Sequence, residues 1–212
     1  VTDVNEAPND MTIGSSPTGL TTAGNASLVS GTTYQLTPNT GSQAGGVWGS
    51  VNLNQDFVVT SKAFFGANGG GAEGLAFVLQ NQSNTAIGGA FTVKGADITN
   101  AFGIQFDTWF NGQNNEINSD FSQFFRQGAV SNQGTAFDAA NAHDNLEDGL
   151  WRDLVVSWNA TSKTLSYSLD GLAIDSKVYD VVATDWGGNS SGWFGFTAST
   201  GGATNQHQVE II

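Results

Sequence analysis

The stretch Gln-Phe-Asp-Thr-Trp-Phe-Asn at residues 105–111 places oxygen donors at alternating positions beside an aromatic residue. Hard cations such as calcium take about six to eight oxygen ligands from carboxylates, amides and backbone carbonyls. Trp109 can offer its carbonyl to such an ion and its ring to a ligand. The stretch, with the polar loop after it, therefore predicts a calcium site. Its candidate ligands are Asp107, Trp109, Asn111, Glu116 and Asp120.

On both sides of this stretch the sequence consists of short β-rich runs bounded by Gly, Asn or Ser. Strands are predicted at residues 28–29, 34–36, 47–51, 57–65, 75–79, 102–106, 151–158, 164–169 and 193–198. Hairpin turns are predicted at 159–163 and 169–171, and only residues 137–146 hint at a short helix or loop. Many strands at regular spacing predict an all-β fold, an antiparallel two-sheet jelly-roll sandwich.

Length and composition predict one main domain. The chain has 212 residues with Gly 28, Pro 3 and 11% aromatics, which suits a single sandwich with short turns. We expect residues 1–12 to be an acidic linker and residues 13–212 to be the domain. Residues 3–8 resemble calcium-binding junctions between cadherin-like modules of bacterial surface proteins, and an ordinary acidic terminus is the equal alternative.

The charge excludes some partners. A formal net charge of −13 with six Lys and Arg residues would repel phosphate backbones and anionic lipids, so we expect no nucleic-acid partner. No apolar run reaches the roughly 20 residues of a membrane span, and residues 1–5 lack the regions of a signal peptide. There are no cysteines to form disulfides. We expect a module of a larger protein whose export signals lie elsewhere.

Four further motifs accompany the first. They are the carboxylate loop 72–77 with Glu73, the glycine loop 86–91 with Gly88 and Gly89, residues 148–152, and residues 195–201. In this order, from about residue 20 to the end, the chain resembles the L-type (legume-type) lectins, particularly their relatives in large bacterial adhesins of the RTX type.

The resemblance implies a sugar site and a calcium ion that orders it without touching the sugar. Calcium would take Asp107, Trp109 and Asn111, and which of Asn115, Glu116 and Asp120 completes its site stays open. The family also holds the peptide before its sugar-binding acid in cis, here Ala72–Glu73. The implied carbohydrate-binding residues are Glu73, Gly88, Gly89, Trp109, Asn111, Gly201, Gly202 and Ala203.

Two departures from the family matter. Glu73 stands where the family usually has Asp, so sugar placement can shift. At the family's transition-metal position, Gln105 replaces an acid and the region of Phe121 lacks the histidine. Neither is a good manganese ligand, so we expect calcium alone.

Several residues also have a purely structural interpretation. Trp109 could be a core residue, although its place between candidate ligands favours a sugar platform. His143-Asp144 is weak evidence for catalysis, and His207 is expected to be structural on a final strand. The other tryptophans are expected to serve packing: Trp48, Trp151, Trp158, Trp186 and Trp193.

The resemblance favours a non-enzymatic, calcium-dependent saccharide-binding module of a secreted adhesin at the cell surface, attaching to cells or biofilm matrix. A jelly-roll glycan hydrolase would need acids at positions 105, 107 and 110, of which only Asp107 is acidic. A structural spacer of an adhesin is a second alternative. Glucose-like, mannose-like and fucose-like ligands are all compatible with these residues.

Overall fold

The computed structural model describes residues 11–12, 19–87, 98–112, 117–118, 120–127, 135–136 and 139–212. These described residues form two β-sheets and one short helix, α1 (Val181–Thr184). The predicted all-β two-sheet sandwich is confirmed.

We call one sheet the back sheet. From one edge to the other its strands are β14 (Leu172–Val178), β13 (Thr164–Leu169), β12 (Trp151–Asn159), β6 (Phe57–Phe64), β16 (His207–Ile211), β4 (Thr33–Thr37) and β3 (Ser27–Ser30). A two-residue strand, β1 (Met11–Thr12), pairs with β6 in parallel. The last two residues of the expected linker thus form part of this sheet.

We call the other sheet the site sheet. Its strands in order are β10 (Thr135–Ala136), β9 (Phe121–Gln127), β8 (Ala101–Asp107), β7 (Gly74–Gln80), β15 (Ser191–Ser199), β5 (Ala44–Asn52) and β2 (Thr21–Gly24). A further two-residue strand, β11 (Asn141–Ala142), pairs with β9. In each sheet, a strand from the C-terminal part of the chain lies between two strands from the N-terminal half. β15 lies between β5 and β7, and β16 lies between β4 and β6, with antiparallel pairing in all four cases.

The two sheets bury one main core between them. β6 alternates strictly between buried and half-buried residues, because its outer face is solvated. β7 and β8 are buried at every residue, since a second apolar cluster covers the outer face of the site sheet. Trp48 belongs to this cluster, and its indole N–H donates to the carbonyl of Ala86 at 2.8 Å, which holds the loop after β7 on the sheet.

Every strand predicted from the sequence is present, and so are both turns. Asp170 and Gly171 have φ of 50° and 79°, the two positive values that a tight two-residue hairpin turn requires. Prediction missed the strands β1, β2, β9, β10, β11 and β14 and the helix α1. Of the ambiguous segment 137–146, residues 137–138 lie outside the described residues, and the rest forms β11 and irregular backbone.

The tryptophans divide into two groups. Trp48, Trp158 and Trp186 are buried, as expected of packing residues. Trp151 is 39% exposed and packs against Phe64 with ring centroids 5.4 Å apart, whereas Trp193 is half-buried. No helix in the described part of the chain is long and apolar enough to cross a membrane.

Candidate functional site

The described members of the predicted site lie at one end of the site sheet, where β7 begins and β8 ends. Gly74 and Asp107 are paired in the ladder, which places Glu73 beside Thr108. The Glu73 carbonyl accepts from the Thr108 N–H at 3.1 Å, and the Glu73 N–H donates to the Ser199 carbonyl at 3.0 Å. The peptide between residues 72 and 73 is cis, as the resemblance implied. The backbone of Glu73 is therefore fixed by two neighbouring segments.

The loop after β8 folds back on its own first residue. The Asp107 Oδ1 atom accepts from the Trp109 N–H at 3.0 Å, closing a tight turn. The Trp109 ring is 39% exposed, and the neighbouring Phe110 is 50% exposed. Trp109 is thus not a core residue, and its ring lies at the surface of the loop.

One hydrogen bond joins two residues that lie 38 positions apart in sequence. Asn111 donates from Nδ2 to Glu73 Oε2 at 3.1 Å, and the same Nδ2 lies 3.4 Å from the Trp109 carbonyl oxygen. Glu73 is only 5% exposed, so its side chain is almost entirely covered by the protein. Because the Nδ2 atom of Asn111 points toward Glu73, the Oδ1 atom of the same amide points away from it.

The described donors fit a hard cation. Asp107 supplies a carboxylate, Trp109 a backbone carbonyl and Asn111 an amide oxygen, at every second position of one loop. Glu116 and Asn115 lie outside the described residues. In the described ranges, no three acidic or histidine side chains form a metal cluster. The described donors thus combine one carboxylate with a carbonyl and an amide oxygen, which are ligand types that calcium takes.

The transition-metal position is occupied by side chains that do not suit such an ion. Gln105 is fully buried, and neither atom of its amide has a hydrogen-bond partner among the residues that the structure describes. Phe121 stands opposite Asp107 in the ladder and is also buried. A neutral amide and a phenyl ring do not replace the acid and histidine of a manganese site.

Asp120 is tied to a third segment. Its Oδ2 atom accepts from the Leu146 N–H at 2.6 Å, and its carboxyl group hydrogen-bonds with Glu147. Burial, followed by the charge of Asp120, raises the pKa of Glu147 to about 8. Burial also raises the pKa of Asp120. At least one oxygen of Asp120 thus serves to hold residues 146–147 near the candidate site.

Sequence reasoning missed Glu147 and the role of Asn205. Asn205 donates from Nδ2 to the Asn68 carbonyl at 2.9 Å and lies 3.5 Å from Glu147 Oε1. Gly71 makes room for it, since a Cβ atom there would lie 2.1 Å from Asn205 Nδ2. These residues come from three distant segments, and no spacing in the sequence signals their contact.

His143 pairs with a different residue from the one beside it in sequence. Its Nε2 atom lies 2.7 Å from Ser122 Oγ, which also lies 2.7 Å from the Tyr167 hydroxyl. Burial lowers the pKa of His143, although Asp120 opposes this. Ser122 is fully buried, so a substrate could not reach its hydroxyl.

Residues 201–203 lie in the loop between β15 and β16. Gly201 is buried and its carbonyl accepts from the Ser42 N–H at 3.2 Å, whereas Gly202 is exposed and Ala203 is half-buried. The loop is therefore anchored at its start and open at its tip. Gly88 and Gly89 lie outside the described residues.

Comparison with known proteins identifies the family. The model of the legume lectin beta-barrel domain matches residues 11–212. The chain belongs to the L-type lectin family. A curated relative is the serine-rich adhesin for platelets of Staphylococcus aureus (strain MRSA252), 27% identical over 91% of this chain. The match spans 16% of that adhesin's length, so the lectin domain is a small part of it.

Solved L-type lectins share the fold. A lectin from Bauhinia forficata in complex with GalNAc superposes with a TM-score of 0.65 at 19% identity, covering 91% of this chain and 89% of that chain. The exoplasmic/lumenal domain of VIP36, in a Ca²⁺/Man3GlcNAc-bound form, gives a TM-score of 0.67 at 16% identity, covering 91% and 83%. At these identities the similarity establishes the two-sheet architecture.

Proposed function

We propose that this L-type lectin domain is a calcium-dependent, non-enzymatic carbohydrate-binding module of a bacterial surface adhesin. The observation that supports the proposal is the 3.1 Å hydrogen bond between Asn111 Nδ2 and Glu73 Oε2, made by the same loop that carries the exposed Trp109. An acceptor, a donor and an apolar ring are what a single pyranose requires.

Each residue has a distinct role toward the sugar. Glu73 accepts from sugar hydroxyls, Asn111 donates to one, and the Trp109 ring lies against the apolar face of the pyranose. The N–H groups of Gly88 or Gly89 would donate from the glycine loop. Residues 201–203 form the rim at which neighbouring sugar units are distinguished.

Calcium would be held by Asp107, the Trp109 carbonyl and Asn111 Oδ1, with one of Asn115, Glu116 and Asp120 completing the site. When bound, calcium orders the loop that presents Asn111 and Trp109. Asn111 can serve both ligands because its Nδ2 faces Glu73 and its Oδ1 lies on the other side of Cγ. The same side chain thus couples sugar affinity to metal occupancy.

The adhesin setting is supported by the relatives. The staphylococcal relative carries its similar segment within a much longer protein named as an adhesin. We infer that this chain is likewise a module of a larger extracellular protein at the cell surface, of the RTX type, holding to glycans of cells or of a biofilm matrix. Several copies together would turn weak single-site binding into firm attachment.

Hydrolysis is not favoured. The glycanase arrangement would use position 105, but Gln105 is neutral and fully buried. We expect neutral oligosaccharides to remain intact after long incubation with the protein in a reducing-end assay. Steady release of reducing ends that disappears in a folded Asp107→Asn variant would support the glycanase instead.

A glycan array tests the proposal. Wild-type protein in calcium should bind a defined set of glycans, and chelator should remove that binding. Glu73→Ala should lose it as well, while Glu210→Ala, a change at a half-buried acid on β16, should keep it. Binding that survives in Glu73→Ala would place the sugar elsewhere.

A further inference from the structure

A second groove lies at the opposite end of the site sheet, where β5 and β7 end and β15 begins. Its volume is about 540 Å³, within the range of about 300–1,000 Å³ that is common for small-molecule sites. Trp193 lines it and pairs with Gln80 at the end of β7, whereas Gly74 at the start of β7 lies beside Glu73. At ~3.3 Å per residue, β7 separates the two ends by roughly 20 Å.

The groove has a neutral, polar lining. Of the nine described residues that line it, none carries a charge, in a chain whose formal net charge is −13. The polar members are mainly amides and hydroxyls, from Ser50, Asn52, Gln55, Asn81, Asn189 and Ser191. Such groups both donate and accept hydrogen bonds, but they offer an ionic ligand no countercharge. The lining therefore favours a neutral ligand rich in hydroxyl groups.

Two of these amides are held in a fixed orientation. Asn52 Oδ1 accepts from the Asn54 N–H at 3.0 Å, and Asn189 Oδ1 accepts from the Ser191 N–H at 3.1 Å. In each case the amide NH₂ group is on the opposite side of Cγ from the occupied oxygen. Both residues thus present donors whose orientation is set before a ligand arrives, which lowers the entropic cost of binding.

The turn that carries Asn81 is also fixed. The buried Gln80 accepts from the N–H groups of Gln82 at 2.6 Å and Ser83 at 3.0 Å, and its Nε2 donates to the Ser83 carbonyl at 2.6 Å. One side chain therefore holds the whole turn on the end of β7. Asn81 lines the groove from within this turn.

Trp193 supplies an apolar surface. It is half-buried and packs against the cluster that contains Trp48 and Val78, while it also lines the groove. Trp48 is itself held by its hydrogen bond to Ala86. A supported indole at a polar groove can take the apolar face of a sugar ring, with the surrounding amides binding its hydroxyls.

We propose that this groove is a second saccharide site, which binds a neutral oligosaccharide without calcium. It shares no residue with the Glu73 end, so it does not rest on the function proposed there. Its lining contains no carboxylate among the described residues, and a metal ion is therefore not needed to order it.

A groove on the back sheet serves as a contrast. It has a volume of about 460 Å³ and is lined by Ser157, Ser166 and Asp175 among others. Its one aromatic residue among the described lining, Tyr167, is only 3% exposed. Without an accessible ring, this groove lacks the surface that a pyranose would cover.

Fluorine NMR of protein labelled with 5-fluorotryptophan separates the two sites of the site sheet. The chain has six tryptophans, and Trp109→Phe and Trp193→Phe assign the two signals that matter. Neutral hexasaccharides of glucose, of mannose and of galactose are titrated in the presence of chelator. We expect the Trp193 signal to shift saturably with at least one of them, in wild type and in Glu73→Ala alike.

Matched variants test the lining. Replacing both Asn52 and Asn189 by Ala should weaken the Trp193 response about tenfold or more, because two oriented donors are lost. Asn159→Ala is the control, since Asn159 also accepts backbone N–H groups through Oδ1 but lies on the other sheet, at the end of β12. It should leave the response unchanged.

The outcomes distinguish this proposal from the first. A Trp193 signal that none of the three sugars moves, or that moves only with calcium, overturns the second site. If the Trp109 signal alone shifts in calcium, the proposed function stands and the groove proposal fails. If the Trp193 signal alone shifts under both conditions, the groove proposal stands and the function assigned to the Glu73 end fails.

Discussion

The two ends of the site sheet differ in how they accommodate polar groups. At the Glu73 end, Glu73, Asp107 and Glu147 are each at most 5% exposed. At the Trp193 end, the lining residues are neutral and most are exposed. Burying carboxylates is costly unless hydrogen bonds or a cation offset their charge. We therefore expect the Glu73 end to gain order from a bound cation, whereas the Trp193 end is held by the hydrogen bonds of its own turns.

The largest expected effect is the loss of calcium stabilisation in Asp107→Ala. A ligand that binds the folded state at about 100 times its Kd adds about 2.7 kcal/mol, which corresponds to roughly 5–10 °C in Tm for a chain of this size. Thermal melts with calcium and with chelator should show this difference in wild type and little of it in the variant. Asp153→Ala, at an exposed acid paired with Lys62, should retain it.

Equal melting of wild type with calcium and with chelator would remove the contrast between the two ends. The Glu73 end would then tolerate its buried carboxylates through protein hydrogen bonds alone.

We expect acid to destabilise the fold through His207, a buried polar residue at the start of β16. His207 is fully buried, its Nδ1 lies 2.7 Å from Thr37 Oγ1, and burial lowers its pKa to about 3. Between pH 6.5 and about 3, His207 is protonated in the unfolded chain but stays neutral in the folded chain. This contribution therefore makes stability fall as the pH falls, by about 2 kcal/mol between pH 7 and pH 5.

Denaturant unfolding at pH 7 and pH 5 checks this in wild type and in His207→Gln, which keeps a partner for Thr37 without the titration. The variant should lose less stability on acidification. The same loss in both proteins would show that His207 does not contribute.

A smaller effect is expected from amides that play similar local roles at the two ends. Asn205→Ala removes the amide that donates to the Asn68 carbonyl and to the Glu147 carboxyl group. We expect this to lower the free energy of unfolding by about 1–2 kcal/mol. Asn189→Ala removes an exposed turn contact and should cost about 0.5 kcal/mol. Urea unfolding of both variants measures the difference, and equal losses would contradict the idea that the Glu73 end is the more demanding one.

The sequence determines the fold more completely than the site. Residues 75–79 are all apolar or small, and residues 102–106 are so except for Gln105, which predicts a strand at each place. Asp170-Gly171 predicts its turn in the same way. β14 escaped prediction because most of its side chains are at least partly exposed at a sheet edge, so no apolar alternation marks it.

The site was only partly predictable for a physical reason. Asp107, Trp109 and Asn111 lie within one loop, so their spacing carries the chemistry. Glu147 and Asn205 reach the same place from distant segments, and only the packing of strands brings them together. Nothing in the sequence around Trp193 indicates that it is more exposed than the buried tryptophans or that it lines a groove.

Titration calorimetry with a sugar selected on the array tests the central claim most directly. Wild-type protein with calcium should bind it at one site, with the affinity reduced below detection by chelator. A folded Glu73→Ala protein with calcium should lose at least about 1–3 kcal/mol of binding free energy, or roughly 5- to 150-fold in Kd. Unchanged affinity in Glu73→Ala, or unchanged affinity in chelator, would contradict a calcium-ordered sugar site built on Glu73 and Asn111.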